Sequence, residues 1–299
     1  MGIGIRGGGG VVGPGMTTIS DPAPLGLGTY GVWRISETPS ELAVELEALG
    51  FGALWLGNLP VSEFSTVERL LDATETLVIA TGIVNIWASP APEVARAYHR
   101  VVERHPDRFL LGIGAGHREA TQEYARPYQA LNDYLDVLDE AQVPVSRRVL
   151  AALGPKVTRL GRDRAAGVHP YLVTPEHTRR TREILGKGPV LATEQKVVLD
   201  QDPVRARKLA IERVAPYLAL ANYTANLRTL GYDDEDLTAP GSDRLLADLA
   251  VQGGPEAVAA GLRAHVEAGA DHVVVQLLEA GEGNSAAGYR ELARALGLS

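Results

Sequence analysis

Residues 77–117 read LVIATGIVNIWASPAPEVARAYHRVVERHPDRFLLGIGAGH. Leu77 to Val84 is an apolar run with little alternation, and Arg108 to Gly114 is a second one. Between them the spacing predicts a helix over 92–104, closed by His105-Pro106. Two apolar strands joined by a helix make a parallel crossover unit, whose strands are covered on both faces and therefore lack polar alternation.

The same unit repeats in both directions. Upstream, Gly28 to Trp33 and Ala53 to Leu56 are strands separated by a helix that carries Leu42, Leu46 and Leu49 on one face and stops at Gly50. Thr38-Pro39-Ser40-Glu41 reads as its capping box, with Thr38 as cap. A helix is expected at about 63–75 and another at about 119–141. Downstream, Val149 to Ala152 is a fifth strand and Gly167 to His169 a sixth. Val190 to Thr193, with or without Lys196 to Leu199, is a seventh, and His272 to Leu277 an eighth. Eight such units predict an α/β fold, a (β/α)8 TIM barrel. The long stretch 200–268 predicts a helical insertion between strands 7 and 8. Residues 1–24 are expected to be a flexible leader and 25–299 a single barrel domain.

Composition narrows the function classes. Lys and Arg number 29 against 37 Asp and Glu, giving a net charge of -8, which argues against nucleic acid or an anionic membrane as partner. Cysteine is absent, which excludes thiol nucleophiles, disulfides and Cys-ligated metals and fits a cytoplasmic location. No run reaches the roughly 18 apolar residues of a membrane helix.

In a barrel the active site forms at the C-terminal strand ends. There the chain offers Trp33, Gly57-Asn58, Gly82-Ile83, Gly114 to His117, Leu153 to Lys156, His169-Pro170, Glu194-Gln195 and Gln276. These include no close carboxylate pair, nucleophile elbow or metal cluster. Glycine and apolar residues with a few aromatics and histidines suit a flat organic cofactor that carries the chemistry. Gly112-Ile113-Gly114-Ala115-Gly116 lacks the spacing of a dinucleotide fingerprint.

Several stretches, in order and spacing, resemble the luciferase-like monooxygenase superfamily, in particular its branch using the deazaflavin coenzyme F420. They are GALWLGN, LVIATGIVNIW, RFLLGIGAGH, RVLAALGPKVTRLGRDRAAGVHPYLVTPEH, LATEQKVVLD and AGADHVVVQLL, within about residues 27–280. The resemblance implies a cis peptide at Gly82–Ile83 behind the cofactor ring. It implies a phosphate-bearing tail held near Ala152, Gly154, Pro155, Lys156, Val168 and His169, with Gly154 and Lys156 as N–H donors because Pro155 has none. Gly114 belongs to the same cofactor-binding set. Asn58 stands where relatives often have a carboxylate against the cofactor headgroup, and His117 where some have a glutamate acting as acid. An imidazole can supply that proton. Trp33 and Trp87 are expected to wall the substrate pocket. His99, His105, His177 and His265 read as helix-surface or cap residues, and His272 as structural.

The resemblance therefore implies an oxidoreductase transferring hydride between coenzyme F420 and a small organic substrate, as a homodimer without bound metal. An FMN-dependent monooxygenase using oxygen, a non-catalytic flavin-binding barrel and a metal-dependent barrel hydrolase are the alternatives.

Overall fold

A computed structural model describes residues 25–35, 37–57, 59–117, 126–279 and 286–298. The expected leader and Asn58 lie outside the described residues. The strands are β1 (Tyr30–Ile35), β2 (Ala53–Gly57), β3 (Val78–Thr81), β4 (Val84–Asn85), β5 (Phe109–Gly114), β6 (Arg148–Leu150), β7 (Gly167–Val168), β8 (Val190–Leu199), β9 (Ala250–Gly253) and β10 (His272–Leu277). All pairings are parallel. Strand β10 pairs both β1, with Val275 opposite Val32, and β8, with His272 opposite Ala192, so the sheet closes. Strands β3 and β4 share one barrel position, and β9 is an appendage on the far half of β8. The result is the expected eight-stranded parallel barrel with flanking helices.

Successive residues of each strand point alternately inward and outward. Inward-facing Ala53, Trp55, Val78, Ala80, Leu110, Val149, Ala192 and Val274 form one buried cluster. Outward-facing Leu54, Leu56, Ile79, Phe109, Leu111 and Val275 pack under the helices in another. Small side chains on most inward positions make room for Trp55, which is fully buried. Its ring stacks on His169 at 4.3 Å, and its Nε1–H donates to Nε2 of His272 at 3.1 Å. His272 Nδ1 lies 2.8 Å from the Gly28 carbonyl, to which it donates.

The third barrel position breaks where β3 ends. The Gly82–Ile83 peptide is cis, as the family resemblance implied. The Thr81 side chain takes over the ladder at this point: its hydroxyl donates to the Gly112 carbonyl and accepts from the Gly112 N–H, both at 2.8 Å. A Cβ on Gly112 would lie 1.9 Å from the Thr81 carbonyl oxygen. Gly112→Ala is therefore expected to cost about 3 kcal/mol, because backbone and not a flexible side chain must move. Urea unfolding would read this as a lower midpoint, and an unchanged midpoint would show that β5 can shift freely.

Several local expectations change. The helix after β1 runs Ser40–Ala48 with Pro39 as its cap and no side-chain cap. Thr38 instead donates its hydroxyl to the Ile35 carbonyl at 2.8 Å, so it closes the strand-to-helix turn and leaves the capping box unformed. The helix expected over 119–141 is described as Pro127–Glu140. Strand β8 is one ten-residue strand, so Glu194 and Gln195 are buried mid-strand and not at its end. The 200–268 stretch is helical but interrupted. Helices Pro203–Val214, Ala221–Thr229, Asp234–Leu237 and Asp243–Leu249 precede β9, and Pro255–Glu267 follows it. The first four gather a core of their own that includes Ala210, Val214, Tyr223, Leu227, Leu245 and Leu249.

His177 and His265 are buried, not on helix surfaces. His265 bridges Gln195 Oε1 at 2.6 Å and the Thr178 hydroxyl at 2.8 Å, tying two covering helices to β8.

Candidate active site

A cavity of about 700 Å³ opens at the C-terminal ends of the strands. That size lies within the range of organic-ligand pockets. Its inner end is built by the first three strands. Trp33, within β1 and two residues before its end, lies across β2, where a Cβ on Gly57 would fall 1.9 Å from the indole. The indole Nε1–H donates to the Gly82 carbonyl at 3.1 Å. Gly82 and Ile83 thus present backbone and one aliphatic side chain to the cavity.

His169, after β7, closes the same end. Its Nδ1 lies 2.8 Å from the Ala192 carbonyl, an acceptor, so the ring carries its proton there. Burial pushes its pKa down to about 4, helped by nearby His272 and Lys196. The ring is therefore neutral near pH 7, and Nε2 is a bare acceptor with no protein partner. That nitrogen would lie 3.4 Å from a Cβ built on Gly82 and is itself buried behind the inner end of the cavity that the residue lines. The tail contact expected for His169 would put it instead with Gly154.

The other end is the start of the Pro155–Arg164 helix. Gly154 is its N-cap, with no side-chain cap, and the space where its Cβ would sit is open. The first intrahelical bond comes from the Thr158 N–H to the Gly154 carbonyl, which leaves the preceding amides facing outward from the helix end. Lys156 lines the cavity here, with Nζ 4.2 Å above the Tyr128 ring. It is the sole Lys or Arg among the described residues of the lining.

Four of the expected residues stand outside the lining. Trp87 turns away to donate to the Ala115 carbonyl at 2.8 Å. Gly114 lies behind it, where a Cβ would strike Ala151 at 2.8 Å. Val168 is fully buried and faces Gly161 of the covering helix. Pro155 is the first residue of its helix. Trp33, Gly82, Ile83, Ala152, Gly154, Lys156, His169 and His117 do line the cavity.

His117 follows the Gly116 turn, where φ is +61° and a Cβ would meet Asn85 at 2.7 Å. Its Nδ1 lies 3.3 Å from the Asn222 amide nitrogen, a donor, which leaves the ring proton on Nε2.

Sequence reasoning missed the roof. Tyr217, Asn222 and Tyr223 come from the insertion, and Tyr171 from the loop after β7. Trp33, Tyr171, Tyr217, Tyr223 and His117 form a continuous aromatic arc, with successive ring centroids 5.7, 5.7, 5.1 and 5.3 Å apart. The only signal in the sequence is that Tyr217 and Tyr223 lie six residues apart in the insertion. Among the described residues, no group of three or more His, Asp or Glu gathers to hold a metal, and no helix is long and apolar enough to cross a membrane.

The family model for luciferase-like monooxygenases matches residues 34–142. Comparison with curated proteins finds no match. Among solved structures, an F420-dependent secondary alcohol dehydrogenase in complex with an F420-acetone adduct superposes with a TM-score of 0.70 at 14% identity. It covers 90% of this chain and 99% of its own. The coenzyme F420-dependent tetrahydromethanopterin reductase of Methanopyrus kandleri gives 0.65 at 13%, covering 90% and 97%. The oxygenating constituent of 3,6-diketocamphane monooxygenase from Pseudomonas putida, in complex with FMN, gives 0.66 at 12%, covering 90% and 96%. At these identities the likeness is one of fold.

Proposed function

We propose that this luciferase-like barrel is an oxidoreductase that binds coenzyme F420 in the cavity at its C-terminal mouth and transfers hydride to or from a small organic substrate. The observation that carries the reading is the make-up of the cavity: at its inner end Gly82 and Ile83 offer a wall without bulky side chains, and at its other end an uncapped helix start stands beside Lys156. Deazaflavins and flavins both join a flat ring to an anionic tail. When bound, a deazaflavin supplies two-electron hydride chemistry at C5, whereas a flavin also reacts with oxygen.

The chain's own residues supply the rest. Gly82 and Ile83 give a surface without bulky side chains against which a ring can lie. His169, held at Nδ1 by the Ala192 carbonyl, stacked on Trp55 and kept neutral by burial, backs that surface. The free amides at the start of the Pro155–Arg164 helix, together with Lys156, receive an anionic tail. His117, whose ring ends the aromatic arc on Tyr223 and whose Nδ1 lies 3.3 Å from the Asn222 amide, stands in the lining where an imidazole can pass a proton to a substrate oxygen.

A second reading, reduced FMN with oxygen, is favoured by one observation. Lys156 is the sole cationic side chain among the described lining residues, and a single terminal phosphate needs fewer cations than the polyanionic deazaflavin tail.

Titration of the purified protein with F420 and with FMN, followed by fluorescence, tests both. Micromolar binding of F420 alone supports hydride transfer, FMN alone supports the second reading, and binding of neither overturns both. Lys156→Ala is expected to weaken the preferred cofactor about tenfold, the value of one charge-assisted contact. It should leave the corresponding dephosphorylated ring compound unaffected. An equal loss for both would remove Lys156 from the tail site.

A further inference from the structure

The roof of the cavity contains a hydrogen-bonded chain of phenols. The Tyr217 hydroxyl donates to the Tyr171 hydroxyl at 3.1 Å, and Tyr171 donates to Gln276 Oε1 at 2.9 Å. Both tyrosines line the cavity and belong to its aromatic arc. Behind them Lys196, fully buried and outside the lining, places Nζ 3.8 Å over the Tyr171 ring and 5.3 Å from that of Tyr217. Glu194 holds Lys196 through Oε1 at 3.0 Å and accepts from the Leu172 N–H at 2.7 Å. Tyr171 is therefore held by Gln276 of β10 and Lys196 of β8, and Tyr217 by Tyr171. Burial raises both phenol pKa values, so each stays a neutral O–H.

We propose that Tyr217 is the residue that recognises the oxygen of an uncharged, ring-bearing substrate, with Tyr171 and Gln276 as positioning residues that set the direction of its proton. The proposal rests on the cavity being the substrate and cofactor site described above, and it assigns the substrate to the side of the aromatic arc. In this arrangement the donors run from Tyr217 towards Gln276, which leaves lone pairs of the Tyr217 oxygen to accept from a substrate hydroxyl. Turning the Gln276 amide presents a donor to Tyr171. Tyr171 then donates to Tyr217, and the Tyr217 proton is released towards a substrate carbonyl. One pair of side chains thereby meets both a hydroxyl and a carbonyl at the same place. That property is needed where substrate and product differ in the oxidation state of one C–O bond. The arc offers aromatic faces and edges to the remaining apolar body. Among the described lining residues there is no Arg, Asp or Glu, and the one Lys, Lys156, stands at the helix start away from the arc, over Tyr128.

The test uses three probes of one shape, acetophenone, 1-phenylethanol and ethylbenzene, with binding to the purified full-length protein read by ligand-observed NMR. Both oxygenated probes are expected to bind about tenfold more tightly than ethylbenzene, as for one buried hydrogen bond. Tyr217→Phe keeps the ring and should abolish that preference without weakening ethylbenzene. Tyr171→Phe should reduce the preference for both oxygenated probes. A preference that survives in Tyr217→Phe, an equal loss of all three probes, or a wild-type protein that does not discriminate overturns the proposal. Cofactor titration of the same Tyr217→Phe protein is a separate readout. Wild-type affinity there shows that the variant is folded, and a failure of both cofactors to bind wild type counts against the cofactor readings alone.

Discussion

Lowering the pH from 7 to 4 is expected to unfold the protein cooperatively. His169 and His272 are buried with pKa values pushed down to about 4, and His265 to about 3, in each case mainly by loss of water around the charged form. His177 is lowered by the same cause. In the unfolded chain these rings titrate near 6.5. Between 6.5 and the folded values the unfolded state binds more protons, so stability is full above about pH 6.5 and falls as pH drops. The loss is about 3 kcal/mol for each of His169 and His272 once the pH reaches the folded value. Several such terms together match the whole stability of an ordinary domain, about 5–15 kcal/mol. The neutral form is enforced by geometry as well as burial. His272 must accept from Trp55 while donating to Gly28, which an imidazolium cannot do. Urea midpoints measured at pH 7.5, 6.5, 5.5 and 4.5 would fall with increasing steepness below 6.5. A midpoint that stays level down to pH 4.5 would refute the neutral assignment of these rings.

The barrel was legible because its strands are short apolar runs bounded by Gly, Pro and polar residues, with helices of ordinary period between them. Leu77–Val84 and Arg108–Gly114 needed nothing beyond their own composition. The lower part of the cavity was legible through the same strand ends, since position along a strand decides which residues reach the mouth. What escaped was whatever depended on side-chain direction or on contacts distant in sequence. Trp87 and Gly114 follow the right strands, but one turns its indole to the Ala115 carbonyl and the other spends its small size on packing against Ala151. Val168 ends the right strand but alternation turns it outward, whereas His169, one residue later, turns inward. The tyrosine roof escaped for a different reason. Tyr171 and Tyr217 are 46 positions apart, and only the folding of the insertion over β8 brings their hydroxyls together. Glu194 and Lys196 show the opposite failure. A charged pair inside an apolar run suggests a strand end, yet here each charge supplies the other's partner and the strand continues to Leu199.

That pair carries the second large expectation. Lys196→Met removes the ammonium while preserving much of the side chain's length, and leaves the Glu194 carboxylate with the Leu172 N–H as its remaining hydrogen-bond partner among the described residues. An unpaired charge in a site with no water access is expected to cost about 3–5 kcal/mol at pH 8. The penalty has a signature that a packing defect lacks. Burial already raises the Glu194 pKa, and Lys196 is the main group opposing that shift. Without the lysine the carboxyl is held further above its unfolded value. Its cost is then full above the folded pKa and shrinks as pH falls and the group takes up a proton. The difference between variant and wild type at one pH cancels the histidines common to both. It should therefore be largest at alkaline pH and shrink as the pH falls. Glu194→Gln in the Lys196→Met background removes the charge and keeps an acceptor for Leu172, so it should restore most of the lost stability, because a neutral pair escapes the desolvation cost that the ion pair only offsets. A double variant no more stable than Lys196→Met, or a single-variant loss that does not change with pH, would mean that Lys196 matters for its packing against Tyr171 and not for its charge.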